Sequence, residues 1–399
     1  FGFRRQHSTE DALVFVTDTF VRARDAGQIT GAVLVDMSKA FDKVRHQVLI
    51  NDLFELGISG SALVWFADYL SNRRQIVHIA ENYSPPFPCM CGVPQGSVLG
   101  PLLFVLYVRS IQSIVSEFCV KVIQFADDIL LYVCGTQKNA LSNSLSAAVS
   151  AISTWLSNRN LILNARKTQV LFLSTPHITD HQFAVYCHGV QLKQVTCAKY
   201  LGIHLDQDLS WRTQVDSMVT KLASKIGILF RNRHNIPLTC RETFVKCLVL
   251  PDFLYASNCF SAGLSLTQLG RLERMLKRAL RSVYDTGFCS PSSPLFARLG
   301  LDRLASMYCK KLLYLTWRCL EGRCSVTLSQ MFERLNNGLA TRSLVSRTLK
   351  LPMLRTAFAR HGASFQCAKL WNDLHPLARC VDNSARFKKL LPQCLAFSR

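Results

Sequence analysis

The stretch QFADDILLY, residues 124–132, carries two adjacent aspartates inside an apolar, strand-like run. Aspartate is depleted in strands, and a carboxylate buried without a partner is costly. Ile123, Phe125, Ile129, Leu130, Leu131, Tyr132 and Val133 all argue for burial. Asp127 and Asp128 therefore mark either a tight hairpin turn, which Ala-Asp-Asp between two apolar runs would serve, or a cation site. These residues alone leave both readings open.

The bulk of the chain narrows the choice. It has 399 residues, 49% of them hydrophobic, enough for a sizeable core and too many for a disordered chain. A length of this order predicts about two or three domains. The formal net charge of +21 implies a polyanionic partner. That charge is uneven: residues 1–206 hold 17 Lys and Arg against 15 Asp and Glu, whereas residues 207–399 hold 30 against 11. Acidic chemistry belongs to the first half, and a phosphate-gripping surface to the second. The 16 cysteines are scattered, with no C-x-x-C pair; Cys89/Cys91 and Cys319/Cys324 are the nearest clusters, and neither has zinc-finger spacing. Many, such as Cys119, Cys134 and Cys247, lie in apolar runs and are expected to be buried free thiols in a reducing compartment. No signal-peptide pattern or membrane-length apolar run is present, so the expectation is an intracellular protein of nucleus or cytoplasm, neither secreted nor membrane-bound. The first residue is Phe1, with no Met, and the chain reads as a fragment of something longer.

Periodicity supplies the elements. STEDALVFVTDTFVRARDAG predicts a helix capped by Ser8, with Asp11 at the capping-box position and Ala12, Phe15, Val16 and Phe20 at helical spacing. TGAVLVD predicts a buried strand ending at Asp36. FDKVRHQVLINDLFELG and SALVWFADYLSNRR predict helices, the first stopping at Gly57. The Pro-rich segment from Gln75 to Gly96 predicts a hairpin or loop. SVLGPLLFVLYVRSIQSIV predicts one buried helix capped by Ser97, and CVKVIQFADDILLYV a strand–turn–strand. Residues 137–160 predict a helix with Leu141, Leu145, Ala148, Ile152 and Trp155 on one face, and TQVLFLS a further strand. This order suits an antiparallel sheet backed by helices, of the split βαβ kind. Residues 207–286 read as helical and basic, most clearly in QLGRLERMLKRALRSVY. The Ser/Pro-rich GFCSPSSPLFARLG, residues 287–300, marks a boundary before a basic helical tail.

Asp127 then has company. In one antiparallel sheet the strand end at Asp36 and the hairpin tip at Asp127 can be neighbours. Two converging carboxylates repel unless a cation joins them. Mg²⁺ suits, because it takes oxygen ligands, keeps waters and borrows the rest from substrate phosphates. Two such ions can activate a 3′-hydroxyl and stabilise a leaving pyrophosphate, which is nucleotidyl transfer.

At this point the residues carry a resemblance. VLVDMSKAFDKVRHQVLI resembles motif A of the reverse transcriptase region of LINE-type (non-LTR) retrotransposons. GVPQGSVLGPLLFVLYV resembles motif B, QFADDILLY motif C, LNARKTQVLFL motif D and KYLGIHLD the primer-grip motif E. FGFRRQHSTEDAL resembles the last fingers motif before motif A. The matches run in order over residues 1–206, and TRSLVSRTLKLPMLRTAFARHGASFQCAKLWNDL looks like the downstream tail of such elements, less specifically. The resemblance implies that Asp36 and Asp127 bind metal and that Asp128 supports them. It implies that Phe41 is a steric gate against a 2′-hydroxyl, and that Gln95 and Gly96 touch the incoming nucleotide. Lys167 would protonate or neutralise the pyrophosphate, Arg4 would meet the triphosphate, and Leu201 and Gly202 would belong to the primer grip. Each has a plainer alternative: a turn for Asp128, core for Phe41, a Pro-Gln-Gly turn for Gln95, a surface lysine for Lys167. Asp42 is expected to cap the following helix.

The resulting expectation is an α+β right-hand polymerase. Residues 1–206 would be partial fingers and palm, 207–286 a helical thumb, and 287–399 a basic C-terminal extension. It would be an RNA-directed DNA polymerase using Mg²⁺, or Mn²⁺ in its place, on an RNA template, a DNA primer and deoxynucleoside triphosphates. The sequence leaves the oligomeric state open. The alternative from another class is a catalytically inactive copy that only binds nucleic acid. A two-metal nuclease would have no use for GVPQGS or Phe41.

Overall fold

The computed structural model describes residues 1–173, 183–335 and 347–396, with side chains as far as 391. The expected strand TQVLFLS loses its last residue to the undescribed stretch, and so does part of the tail motif, residues 341–346. The described chain falls into two compact units. The first comprises residues 1–5, 29–172 and 183–198; the second comprises residues 6–28 and those from 199 onward.

The first unit is built on a five-stranded sheet whose strands lie in the order β11 (Lys193–Val195), β8 (Gln169–Leu173), β1 (Ile29–Val35), β7 (Asp128–Gly135) and β6 (Lys121–Phe125). Strand β1 (Ile29–Val35) reads ITGAVLV, apolar almost throughout, because it lies inside the sheet and is covered on both faces. It pairs antiparallel with β7 (Asp128–Gly135), from Ile29↔Gly135 to Val35↔Ile129. Strand β6 (Lys121–Phe125) forms a hairpin with β7, closing at Phe125↔Asp128. On the far side, β8 (Gln169–Leu173) pairs parallel with β11 (Lys193–Val195). Helices α2 (His46–Glu55), α3 (Gly60–Leu70), α4 (Gly100–Tyr107), α5 (Ile111–Ser116) and α6 (Lys138–Asn158) complete the unit. Leu141, Leu145, Ala148 and Ile152 of α6 are buried as the periodicity predicts, while Trp155 is half-buried.

Local chemistry explains the departures from expectation. The run beginning at Phe41 is one 3₁₀ turn, Phe41–Lys43, and then a separate helix α2. SVLGPLLFVLYVRSIQSIV is broken into α4 and α5 by a turn at 108–110, and α4 starts three residues after Ser97. Ser97 still serves the helix start: its Oγ accepts the Gly100 N–H at 2.9 Å while donating to Pro94 O at 2.6 Å. Between α3 and α4 the chain makes two small ladders, β2 (Arg74–Gln75) with β5 (Phe87–Pro88), and β3 (His78–Ile79) with β4 (Asn82–Tyr83), all exposed. A bidentate pair locks the base of the unit: Arg159 donates to Asp52 Oδ2 at 2.5 Å and Oδ1 at 2.8 Å, and also to Tyr107 O at 3.1 Å.

In the second unit, helix α1 (Thr9–Asp25) starts on the Ser8 cap, whose Oγ accepts the Asp11 N–H at 3.1 Å. Its acidic residues tie it to the C-terminal region. Asp18 accepts from Ser364 N and Oγ, both at 2.8 Å, and Asp25 accepts from Thr356 N and Oγ1, both at 2.7 Å. Glu10 accepts from Lys311 at 2.7 Å, and Asp11 pairs with Arg318 at 3.3 Å. These bonds give a physical reason for residues 6–28 to group with the distal chain rather than with the sheet. Helix α7 (Arg212–Asn232) packs on helix Leu266–Tyr284, whose Leu272, Leu276 and Leu280 are buried; Leu269 and Met275 are half-covered. Two cysteines placed inside by their apolar neighbours are exposed. Cys119 sits in a left-handed turn before β6, and Cys247 lies on the outside of a π-turn, Val245–Val249; Cys134 is half-buried. Among the described residues no helix is long and apolar enough to cross a membrane.

Candidate active site

The opening question has a double answer: Asp127 is a turn residue and a member of an acidic cluster. Ala126 and Asp127 form the two-residue loop between β6 and β7, with Ala126 at φ +57°, a region an L-residue enters only under constraint. The constraint comes in part from the first residues of the chain. The Phe1 nitrogen donates to Gln124 O at 2.8 Å, and a Cβ on Gly2 would lie 2.7 Å from Ala126 N. Continuing the β1–β7 register one step past Val35↔Ile129 brings Asp36 level with Asp128. Asp36 is half-buried, while Asp127 and Asp128 keep contact with water. The carboxyl of Asp128 is raised above its ordinary value by burial first, then by the charges of Asp127 and Asp36. Among the described residues, no hydrogen bond or ion pair engages these three carboxylates. Among the described residues, no group of three or more His, Cys, Asp and Glu side chains is gathered closely enough to hold a metal ion. The result is an open, oxygen-only donor set with uncompensated negative charge. A hard divalent cation that completes its shell with water and phosphate oxygens fits such a set.

The backbone of Asp36 is held from the LNARKT segment. Asn164 N donates to Asp36 O at 2.9 Å, and the Asp36 N–H donates to Thr168 Oγ1 at 3.3 Å. Ser38 N donates to Ile162 O at 3.1 Å, and Met37 bridges Leu163. Thr168 is fully buried, so its hydroxyl is committed to this fastening. Sequence reasoning missed Thr168 and Asn164; a threonine after Arg-Lys carries no signal of its own. Lys167 is exposed on the turn between them, its N–H bonded to Asn164 O at 3.1 Å.

A second fastening joins the segment after Asp36 to the GVPQG loop. Phe41 stacks on the buried Phe104 of α4, with ring centroids 4.2 Å apart, and remains half-exposed. It is thus neither free nor core. Val93 N donates to Phe41 O at 2.9 Å, Gly92 N to Val44 O at 2.8 Å, and His46 Nε2 lies 2.8 Å from Gly92 O. Gly92 has φ +92°, and a Cβ there would meet Asp42 O at 2.9 Å, so only glycine allows this approach. Gln95 Nε2 donates to Asp42 Oδ1 at 2.7 Å. This overturns the expected cap: helix α2 has no side-chain cap, and Asp42 is spent on holding Gln95. Gly96, φ +79°, has open space around its missing Cβ.

The β1–β7 register sets Asp36 level with Asp128, next to Asp127, and the Asp42 segment ties Phe41 to Gln95. Arg4 is exposed in the same unit. Leu201 and Gly202 belong to the other unit. They form the turn between β12 (Cys197–Tyr200) and β13 (Ile203–Asp206), with φ +44° and +85°. Leu201 O accepts the Tyr255 hydroxyl at 2.6 Å, and the Tyr255 ring lies 3.2 Å from where a Gly202 Cβ would be.

The comparisons with known proteins agree with one another. The chain is 27% identical over 310 residues to a probable RNA-directed DNA polymerase from transposon BS of Drosophila melanogaster, covering 75% of this chain and 34% of that protein. It is 27% identical over 292 residues to the probable RNA-directed DNA polymerase from transposon X-element of the same organism, covering 71% and 31%. The RNA-directed DNA polymerase from mobile element jockey of Drosophila funebris gives the same identity and coverage. The chain thus spans about a third of the length of these relatives. A telomerase structure from Candida albicans, in complex with a fragment of telomeric RNA, aligns over 76% of this chain and 52% of that one. Its TM-score of 0.38 and 15% identity are too loose to bear on the argument. The family model for reverse transcriptase (RNA-dependent DNA polymerase) matches residues 1–205, half of the molecule, and with it the chain belongs to the reverse transcriptase family, in its LINE-type form.

Proposed function

We propose that the chain carries the RNA-directed DNA polymerase activity of a LINE-type mobile element, extending a DNA primer on an RNA template with deoxynucleoside triphosphates. The observation that carries this reading is the placement of Asp36 level with Asp128 in the β1–β7 register, beside Asp127 at the hairpin turn, with no built-in donor on any of the three carboxylates. Asp36 and Asp127 would hold two Mg²⁺ ions, or Mn²⁺ in their place, with Asp128 supporting. Bound there, the metal supplies activation of the 3′-hydroxyl and charge neutralisation on the pyrophosphate. The residues of the chain do the rest. The Thr168 and Asn164 bonds fix Asp36, so that its carboxylate does not reorganise during the in-line displacement. Phe41, braced on Phe104, crowds a 2′-hydroxyl, and Gln95, braced by Asp42, faces the nucleotide. Lys167 neutralises the leaving pyrophosphate, Arg4 meets the triphosphate, and the Leu201–Gly202 turn steadies the primer. In this reading residues 1–206 are partial fingers and palm, 207–286 the thumb, and 287–399 a basic extension, with the excess positive charge of the distal half following the phosphate backbone.

Primer extension on an RNA template, with Mg²⁺ and the four deoxynucleotides, tests the proposal. The chain should extend the primer and Asp127→Ala should not. Template binding without extension by either would favour an inactive copy that only holds nucleic acid.

A further inference from the structure

Cys319 and Cys324 are the close cysteine cluster in the second half of the sequence, and the fold gives their spacing a use outside polymerisation. Helix Leu304–Leu320 ends in a reversal of the Schellman kind: Arg323 N donates to Arg318 O at 2.8 Å, and Gly322 N donates to Cys319 O at 3.3 Å. Gly322 takes the left-handed conformation this needs, at φ +64°. One residue further on, Cys324 is folded back over the last turn of the helix. Its Sγ lies 3.0 Å from Cys319 Sγ, only about 1 Å longer than a disulfide bond. Ser329, from the short helix Val326–Ser329, closes the third side. Its Oγ donates to Cys319 O at 3.2 Å and lies 3.2 Å from Cys324 Sγ. Both thiols are buried, at 4% and 3% exposure, beneath a loop whose Gly322 and Arg323 are exposed. A helix end, a glycine turn and a serine therefore place two thiols in contact without recruiting a third metal-ligating side chain.

We propose that Cys319 and Cys324 are a vicinal dithiol that closes reversibly to a disulfide by exchange with a small external disulfide. Cys324 is the attacking sulfur. Its thiol is lowered to about 7, chiefly by the contact with the Cys319 sulfur; the same contact raises Cys319. The Cys324 thiolate forms a bond to one sulfur of the external disulfide, whose S–S bond breaks, and the departing thiolate takes a proton from solvent. Cys319 then loses its proton to solvent and attacks Cys324 Sγ, releasing the second external thiol. The protein gives up two hydrogens with their electrons, and the external disulfide is reduced to two thiols.

The test uses the full chain, reduced and desalted, then exposed to oxidised glutathione. Free thiols are alkylated and the peptides mapped by mass. The expected product is a Cys319–Cys324 cross-linked peptide lacking two hydrogens, restored by dithiothreitol. Its rate of formation should rise about tenfold per pH unit up to about pH 7 and then flatten. Phenylarsine oxide, which bridges two adjacent thiols, should protect both cysteines from alkylation in the parent chain and neither remaining one in Cys319→Ser or Cys324→Ser. Circular dichroism of the serine variants separates loss of the pair from loss of the fold. Full alkylation of both cysteines after oxidant, or glutathione left attached to either one, would overturn the proposal. So would phenylarsine oxide protection that survives in folded Cys324→Ser.

Discussion

The carboxylates at the end of the sheet and those that fasten the second unit live under opposite rules. At the end of the sheet, Asp36, Asp127 and Asp128 have no built-in donor, and burial first, then the charges of Asp127 and Asp36, raise Asp128. In the second unit several acids are met by built-in donors or cations. Burial works to raise Asp25, but the N–H of Arg355 and the hydroxyl and N–H of Thr356 outweigh it and hold the carboxyl below its ordinary value. Asp252 lies 2.7 Å from both Lys221 and Lys225, and Asp206 accepts from Ser210 and Arg212 N at 2.8 and 3.0 Å. A carboxylate that stabilises the fold has its donors built in. One that is kept for a cation or substrate leaves its charge unanswered until that partner arrives.

Asp127→Ala strikes the comparison hardest. Primer extension should fall on the order of 10³-fold, or ~4 kcal/mol, while thermal unfolding of the metal-free chain stays unchanged. Unchanged extension would end the distinction between the two classes. Asp52→Ala probes a saturated carboxylate in the first unit, where Arg159 would be left half-buried without its carboxylate partner. Chemical denaturation should show a loss of about 3–5 kcal/mol. A loss below about 1 kcal/mol would mean the bidentate pair adds little to the fold.

Asp25→Ala should cost about 1–2 kcal/mol by denaturant titration, with extension altered only through stability. The pH dependence has a definite sign. The depressed carboxyl contributes its stability fully above the ordinary carboxylate value of about 4, and loses it as pH falls through the depressed value. The acid limb of the stability curve should therefore flatten in this variant.

Asp128→Asn has the smallest effect and the opposite sense. Between its ordinary and raised values the folded chain binds more protons than the unfolded one, so stability declines as pH rises through that window. The variant should remove this decline and melt slightly higher than the parent without metal. A lower melting temperature at neutral pH would show that Asp128 is satisfied after all.

Strong local signals were readable in advance: the Ser8 cap, the apolar β1, the β6–β7 turn and the buried face of α6. Each follows from periodicity or side-chain chemistry within a few residues. Where expectation failed, the deciding partner was distant. Nothing around Asp42 announces Gln95, 53 residues on, as its partner in place of the helix N-terminus. Nothing in NARKT marks Thr168 as the anchor of an amide 132 residues away. Apolar neighbours of Cys119 and Cys247 suggested burial, but a turn and a π-bulge direct both outward.

The sequence by itself determined the family, the acidic residues and the division of charge, because motif order and residue type are properties of the chain. Only the tertiary structure decided which of those acids meet donors. Whether a carboxylate meets a donor or another carboxylate depends on sheet register and loop closure, which join residues about a hundred positions apart and leave no trace in local pattern.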